Sequence, residues 1–267
     1  MIAPVLNPKP GVGGAGRPAY SVGPQPTRFG HNGPIQHSIA GRKLIAGAVL
    51  SAGLSYAVFE VYRRWYFPRD PKRLIPQDVR VVAPSDGRVI YLEQVEDGVV
   101  PIAIKGRQEI PLNEIVKSEN RPLSGTLLGI FLSPYDVHYQ RLPIAGVVSE
   151  ITYHSAPFNE SMGDMFVRNL FRLDNRYAKS SHVWANERNI VRIDGEDLSA
   201  FVVQIADQQV NRIDCYVEEG DKVDIGDKLG MIRWGSQVDL FIPDLSPEDF
   251  LVESGDKLRA GETVLVA

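Results

Sequence analysis

Gly235-Ser236, inside Met231-Ile-Arg-Trp-Gly-Ser-Gln-Val-Asp-Leu-Phe-Ile-Pro243, sets a hydroxyl directly after the one residue type whose carbonyl no side chain shields. Such a pair serves either as a turn between two β-type runs or as a bond the chain breaks in itself, turning the serine into a covalent cofactor. A second cluster, Phe131-Leu-Ser-Pro-Tyr-Asp-Val-His-Tyr-Gln-Arg-Leu-Pro143, carries Asp136, His138 and Arg141 within six residues. An apolar run delivers this dense polar loop, which is where scaffolds tend to place catalytic groups. The third, Ala83-Pro-Ser-Asp-Gly-Arg-Val89, sets Asp86 in a Pro/Gly turn. Each has a plain structural alternative: an Asp-Gly turn for Asp86, a structural histidine for His138 and a surface salt bridge for Arg141.

The elements that must position these residues are mainly β. Short β-type runs such as Val79-Arg-Val-Val-Ala83, Thr126-Leu-Leu-Gly-Ile-Phe-Leu132 and Ala200-Phe-Val-Val-Gln-Ile-Ala206 follow residue 65, separated by Gly, Pro and Asp. Few stretches there show a sustained helical period, and 161–177 and 112–117 are the best candidates. An internal echo supports the assignment. Glu219-Gly-Asp-Lys-Val-Asp-Ile-Gly-Asp-Lys-Leu-Gly-Met-Ile232 is matched by Ser254-Gly-Asp-Lys-Leu-Arg-Ala-Gly-Glu-Thr-Val-Leu-Val266. The glycines suit positive-φ turns, and the pattern looks like the β-hairpins of biotinyl/lipoyl-carrier and related hybrid-motif barrels. The expected fold is therefore mainly β (α+β), a hairpin-rich, barrel-like core with few short helices.

Ahead of that core the texture differs. Residues 1–40 are rich in Gly and Pro, too poor in apolar surface to offset the entropy of ordering, and read as a disordered tail. Leu44 to Tyr62 then runs 19 residues with a single charge near its end. At about 1.5 Å per residue it nearly spans a hydrocarbon core of roughly 30 Å. Arg42-Lys43 and Arg63-Arg64 bracket it, and Tyr62, Trp65 and Tyr66 sit where an interfacial aromatic belt would lie. Residues 41–64 thus read as a membrane-anchoring helix before a domain at 65–267, the alternative being a buried or interfacial helix. Gly47, Ser51 and Ser55 recur every four residues, a stripe through which a homodimer could form.

Composition removes several function classes. With 29 basic and 33 acidic residues, net −4, no global basic field argues for nucleic acid. The lone Cys215 rules out an internal disulfide framework, and no His/Cys pair has metal-ligand spacing, so no metal site is expected.

The clusters together resemble the phosphatidylserine decarboxylase family. Tyr66-Phe-Pro-Arg-Asp-Pro-Lys-Arg-Leu-Ile-Pro76 is similar to the family's aromatic-Arg-Asp-Pro-x-Arg-x-Ile-Pro segment, and Ala83-Pro-Ser-Asp-Gly-Arg-Val89 to its Pro-x-Asp-Gly turn. Leu132-Ser-Pro-Tyr-Asp-Val-His-Tyr-Gln-Arg-Leu-Pro143 resembles its Ser-Pro-x-Asp-x-His loop, and 232–243 its processing site. The ordered resemblance covers about residues 65–245. Long members read His-x-x-His where this chain has His138-Tyr-Gln-Arg141, and Gly-Ser-Thr where it has Gly235-Ser-Gln237. The His-x-x-Arg form is common in the shorter bacterial and archaeal branch, including archaetidylserine-type enzymes.

The resemblance implies a decarboxylase that uses a pyruvoyl group made from Ser236 and splits itself into a β subunit, 1–235, and an α subunit, 236–267. Removing carbon dioxide from an amino acid needs an electron sink that no ordinary side chain supplies. In that scheme Ser236 attacks the Gly235 carbonyl, with His138 as the base that activates the hydroxyl and Asp86 orienting the imidazole. Arg141 would hold a phosphate or carboxylate of the phospholipid substrate. His154 and His182 are alternatives for the base, whereas His31 and His37 fall in the tail or at its edge. The expected setting is the cell (inner) membrane with the catalytic domain cytoplasmic, although basic residues on both sides of the apolar stretch leave orientation unread. Two readings compete: the same chemistry on another serine phospholipid such as archaetidylserine, and a non-catalytic, membrane-anchored hybrid-motif binding module.

Overall fold

The computed structural model describes residues 39–104, 108–116, 124–171, 181–208, 213–233 and 236–267. By internal contacts the chain divides at Ala52/Gly53. The first helix, α1 (Ile39–Val61), is continuous. The stretch Lys43–Tyr66 is long and apolar enough to cross a membrane, and none of it is buried by protein. A five-residue π-helix, Tyr62–Tyr66, follows. The expected tail lies almost wholly outside the described residues.

The rest is mainly β, as the alternation of apolar runs and turns requires. In chain order it comprises β1 (Val81–Val82), β2 (Gly87–Val95), β3 (Val99–Ile104), β4 (Gln108–Pro111), α2 (Leu112–Val116), β5 (Gly125–Leu132), β6 (Tyr139–Arg141) and β7 (Gly146–His154). Then come α3 (Gly163–Leu170), α4 (His182–Ala185), β8 (Arg188–Asp194), β9 (Ser199–Ala206), β10 (Ile213–Cys215) and β11 (Lys222–Val223). Last are β12 (Lys228–Ile232), β13 (Ser236–Pro243), β14 (Lys257–Leu258) and β15 (Val264–Val266). The two helical expectations were met over 163–170 and 112–116; Ser161 and Met162 lie before the first helix and Phe171 in a turn after it, while 172–177 and 117 lie outside the described residues.

Eight strands form one curled antiparallel sheet in the order β11-β7-β8-β9-β13-β5-β2-β14. Its central strands are buried on both faces, which is why their sequences read as unbroken apolar runs rather than as alternations. Alternate residues enter two separate cores. Val238, Leu240 and Ile242 of β13 join Leu128, Ile130, Leu132 and Val202 on one face. Phe241 joins Leu127, Phe131, Phe201 and Val203 on the other, where Leu112, Ile115 and Val183 of the short helices close over the sheet.

The first core is capped by the two echoed hairpins, and they are related by an approximate two-fold. Leu258 pairs with Gly87 at one sheet end, as Val223 pairs with Gly146 at the other. The main-chain bonds repeat: Val82 N–H donates to Pro143 O (2.9 Å) and Arg141 N–H to Pro84 O (2.8 Å), while Gly226 N–H reaches Leu142 O (2.9 Å) and Gly261 N–H reaches Ala83 O (2.8 Å). Hence Ala83-Pro-Ser-Asp-Gly-Arg-Val89 and Leu142-Pro-Ile-Ala-Gly-Val-Val148 are equivalent segments, and Asp86 occupies the place that Ala145 holds in the other half. Gly226 and Gly261 have φ of +84° and +75° and meet at the pseudo-axis, where a Cβ on either would strike Ile75 Cδ1 (2.4 and 2.9 Å).

Ile75 belongs to the lead-in segment 67–76, which straps the two halves. Arg73 reaches Asp86 (2.8 Å) and Glu262 (3.4 Å) in one half. Asp70 takes Arg141 (2.7 Å) and Lys228 (2.6 Å) in the other.

Candidate active site

Ser236 opens β13 and is fully buried. It stands opposite Leu132 of β5 and Ala206 of β9, with a side chain that shares the parity of Val238 and Leu240 and therefore the first core's face. Among the described residues its hydroxyl has no hydrogen-bond partner. Gly235 and Trp234 lie outside the described residues.

The polar loop 133–138 begins where β5 ends, at the residue paired with Ser236. Asp136 folds it locally: Oδ2 accepts the Ser133 amide (2.9 Å) and hydroxyl (2.6 Å). This is an Asx-type closure, the reason such short polar residues favour turns. The far end of the loop is tied to the other flank of the Gly-Ser pair. Tyr139 pairs with Met231 in β12, and the His138 carbonyl accepts the Ile232 amide (3.3 Å). The sheet thus carries both His138 and Ser236 at one end of the β5/β13 ladder, although they are about a hundred positions apart in sequence.

His138 is fully buried. Nδ1 lies 3.0 Å from the Asp136 carbonyl, which can only accept, so the ring's hydrogen is assigned to Nδ1 and Nε2 keeps a free lone pair. Nε2 has no partner. Phe67 packs on the ring, with centroids 4.3 Å apart and planes 35° apart. Burial first, with a smaller push from the Arg69 charge, lowers the imidazole pKa to about 4, against the Asp136 carbonyl and carboxylate. A buried amide chain steadies the main chain here: Asn189 Nδ2 donates to Gln204 Oε1 (2.9 Å), Gln204 Nε2 to Gln140 Oε1 (2.8 Å) and Gln140 Nε2 to the His138 carbonyl (2.9 Å).

The other sequence candidates are engaged elsewhere. Asp86 is nearly buried, and Oδ1 accepts Arg73 Nη2 (2.8 Å) and the Ala260 amide (2.8 Å), so no hydrogen bond joins it to His138. Orientation of the imidazole falls instead to the Asp136 carbonyl and the Phe67 ring. Arg141 donates to Asp70 of the strap (2.7 Å) and to the Gly226 carbonyl of a hairpin (2.9 Å). His182 is buried on the opposite sheet face, with Nε2 3.0 Å from Gln237 Oε1. His154 ends β7 in register with Arg188. Among the described residues, no group of three His, Cys, Asp or Glu side chains could hold a metal ion.

Sequence reasoning missed Phe67 and Gln140 as the surroundings of His138, and the polar residues behind Ser236. The last had a signal. Gln237 and Asp239 interrupt an apolar strand at every second residue, which marks a polar face at buried depth.

Comparison with known proteins gives the family. The family model described as Phosphatidylserine decarboxylase matches residues 63–266. A phosphatidylserine decarboxylase proenzyme of Rhodococcus erythropolis is 35% identical over 94% of this chain and 98% of its own length. One of Saccharopolyspora erythraea is 33% identical over 85% of this chain and 86% of its own length. A Methanothermobacter thermautotrophicus relative, whose name includes archaetidylserine decarboxylase proenzyme, is 33% identical over 75% of this chain and 76% of its own length. The matched region takes in the lead-in strap, both equivalent segments, the His138 loop and Ser236, and by it the chain belongs to the phosphatidylserine decarboxylase family, a family of decarboxylases.

Proposed function

We propose that this protein is a self-processing, pyruvoyl-dependent lyase that decarboxylates phosphatidylserine to phosphatidylethanolamine at a membrane. One observation carries the reading: two fully buried polar atoms, Ser236 Oγ and His138 Nε2, lack hydrogen-bond partners among the described residues and are delivered to one end of the sheet. Buried polar groups are nearly always satisfied, so an orphaned hydroxyl and an orphaned basic nitrogen in one region point to use rather than to structure.

Processing follows from the residues. His138 Nε2 takes the Ser236 hydroxyl proton, and Oγ bonds to the Gly235 carbonyl carbon. The carbon–nitrogen bond then breaks, and the Ser236 nitrogen accepts the proton, leaving an ester. His138 then takes the Ser236 α-proton, the Gly235 carboxylate leaves the β-carbon, and the enamine so formed takes that proton back at its β-carbon to become an imine. Water hydrolyses the resulting imine at position 236, releasing ammonia and leaving a keto group at the head of 236–267. The buried, unpartnered slot of Ser236 fits a group formed there. The chemistry such a group supplies is that of an electron sink for the carbon that loses carbon dioxide. In turnover His138 Nε2 hands to that carbon a proton it has first taken from the substrate ammonium, and because the ring stays neutral down to about pH 4 it is ready as a base for both that step and processing at neutral pH.

The apolar stretch Lys43–Tyr66 supports an anchor that brings this site to its lipid, with 65–267 as the decarboxylase domain. A second reading keeps the chemistry and changes the lipid: the archaetidylserine decarboxylase proenzyme among the relatives favours an ether-linked serine phospholipid as the alternative.

Intact-mass measurement tests the proposal. Folded protein should resolve into 1–235 and 236–267, the latter with a ketone-bearing N-terminus. Ser236→Ala should stay a single chain and release no carbon dioxide. A wild-type chain that remains whole on prolonged incubation would identify a binding module instead, and comparing diacyl with ether-linked substrates separates the two lipid readings.

A further inference from the structure

The residue after the nucleophile has a side chain on the opposite sheet face, and that side chain is the hub of a buried polar cluster. Gln237 Nε2 donates to Tyr91 Oη of β2 (2.7 Å) and to Asp239 Oδ1 of its own strand (2.7 Å). Its Oε1 lies 3.0 Å from His182 Nε2 of α4, and because an amide oxygen only accepts, the hydrogen is assigned to that nitrogen. Tyr91, His182, Gln237 and Asp239 are all buried, and Tyr91 and Asp239 interact directly as well as through Gln237. Arg188, fully buried, anchors the cluster by donating to the carbonyls of Val183 (2.6 Å) and Glu114 (3.2 Å), which joins α4 to α2.

Four polar side chains inside an apolar layer are costly to keep unless they do something an apolar core does not. Self-cleavage supplies the reason. Once the 235–236 bond is cut, residue 236 becomes a chain terminus, and free strand ends fray. An uncleaved strand is held from both directions, whereas the cut one is held from one direction and by its ladder partners. The first side chain able to hold the new terminus is Gln237, and it is bonded to two other elements at once.

We propose that Gln237, with Tyr91, His182 and Asp239, is a clamp that keeps the cut end of β13 in its ladder, making Gln237 a positioning residue for the reactive group at 236. The proposal rests on the self-processing reading. It separates the two phases of the enzyme's life: the clamp matters little while the chain is whole and much after it is cut.

The test compares wild-type protein with Gln237→Met, which keeps length and removes every hydrogen bond. Three quantities are read: cleavage by intact mass, hydrogen exchange of the 237–239 amides in the cleaved form, and turnover per carbonyl-reactive 236 terminus. The variant should cleave, exchange at least tenfold faster at those amides and turn over at least tenfold more slowly with KM within twofold of wild type. Gln237→Met strands three buried partners and can impair folding, so Tyr91→Phe, which removes one partner, is the second arm. It should quicken the same amides by a smaller factor. His182→Gln, which retains a donor, should restore wild-type exchange more fully than His182→Leu. Wild-type exchange and turnover in cleaved Gln237→Met, or wild-type exchange in Tyr91→Phe, overturns the clamp alone. A wild-type chain that never cleaves overturns the processing reading and the clamp together.

Discussion

His138 depends on its surroundings for its chemistry. Burial under Phe67 holds its pKa near 4, below the ordinary 6.5, so the neutral base persists through mildly acidic solution. The sign for stability follows from proton binding. The unfolded chain protonates this ring more readily, so the stability linked to it is complete above pH 6.5 and is lost as pH falls towards 4. The cleavage rate should therefore be flat from about pH 8 to about pH 5 and fall as pH drops through about 4, a profile read by the appearance of 236–267 over time. Phe67→Ala should uncover the ring and move that acid limb upward, while costing about 3–5 kcal/mol in urea denaturation. His138→Asn should slow cleavage by about 10²–10⁴-fold if this ring is the base. The sequence named His138 because an apolar run ended in a polar loop. It did not name Phe67, since nothing local ties position 67 to 138.

At the scale of elements, the lead-in strap and the paired hairpins decide where polar side chains can go. Arg73 and Asp86 form an ion pair whose side chains are 5% and 12% exposed, and removing one partner leaves a nearly buried charge. Arg73→Met should destabilise the domain by about 3–5 kcal/mol, seen as a lower urea midpoint at unchanged slope. Gly226→Ala and Gly261→Ala each drive a Cβ into Ile75 from a positive φ, and should cost roughly 1–3 kcal/mol apiece. Because both press on the same side chain, their effects should not add; a double-mutant cycle with Ile75→Ala measures the coupling. The Gly-Asp-Lys echo made the hairpins legible. The equivalence of Ala83–Val89 with Leu142–Val148 was not, because only Pro, Gly and Val recur between them.

At the scale of the whole molecule, the proposed chemistry and the apolar N-terminal stretch meet in one expectation: full-length protein should remain with membranes through an alkaline wash if Lys43–Tyr66 spans the bilayer, and be released if the helix lies in the surface. Fractionation followed by immunodetection of the 1–235 fragment distinguishes the two. The π-helix and the strap also meet the His138 loop, for Tyr62 Oη and Arg69 donate to the carbonyls of Pro134 and Tyr135. The segment that follows the helix is therefore part of the site's wall.

The sequence by itself determined the β character, the apolar helix, the repeated hairpins and the residue types that could react, because each is written in local pattern: period, turn chemistry and motif order. Tertiary structure alone decided the partners. It gave Asp86 to Arg73 and Arg141 to Asp70, put Phe67 over His138, and set Gln237 at the back of Ser236 in a polar cluster drawn from β2, α4 and β13. Those pairings join residues 13 to 146 positions apart across a curled sheet, and only its register fixes which side chains face each other.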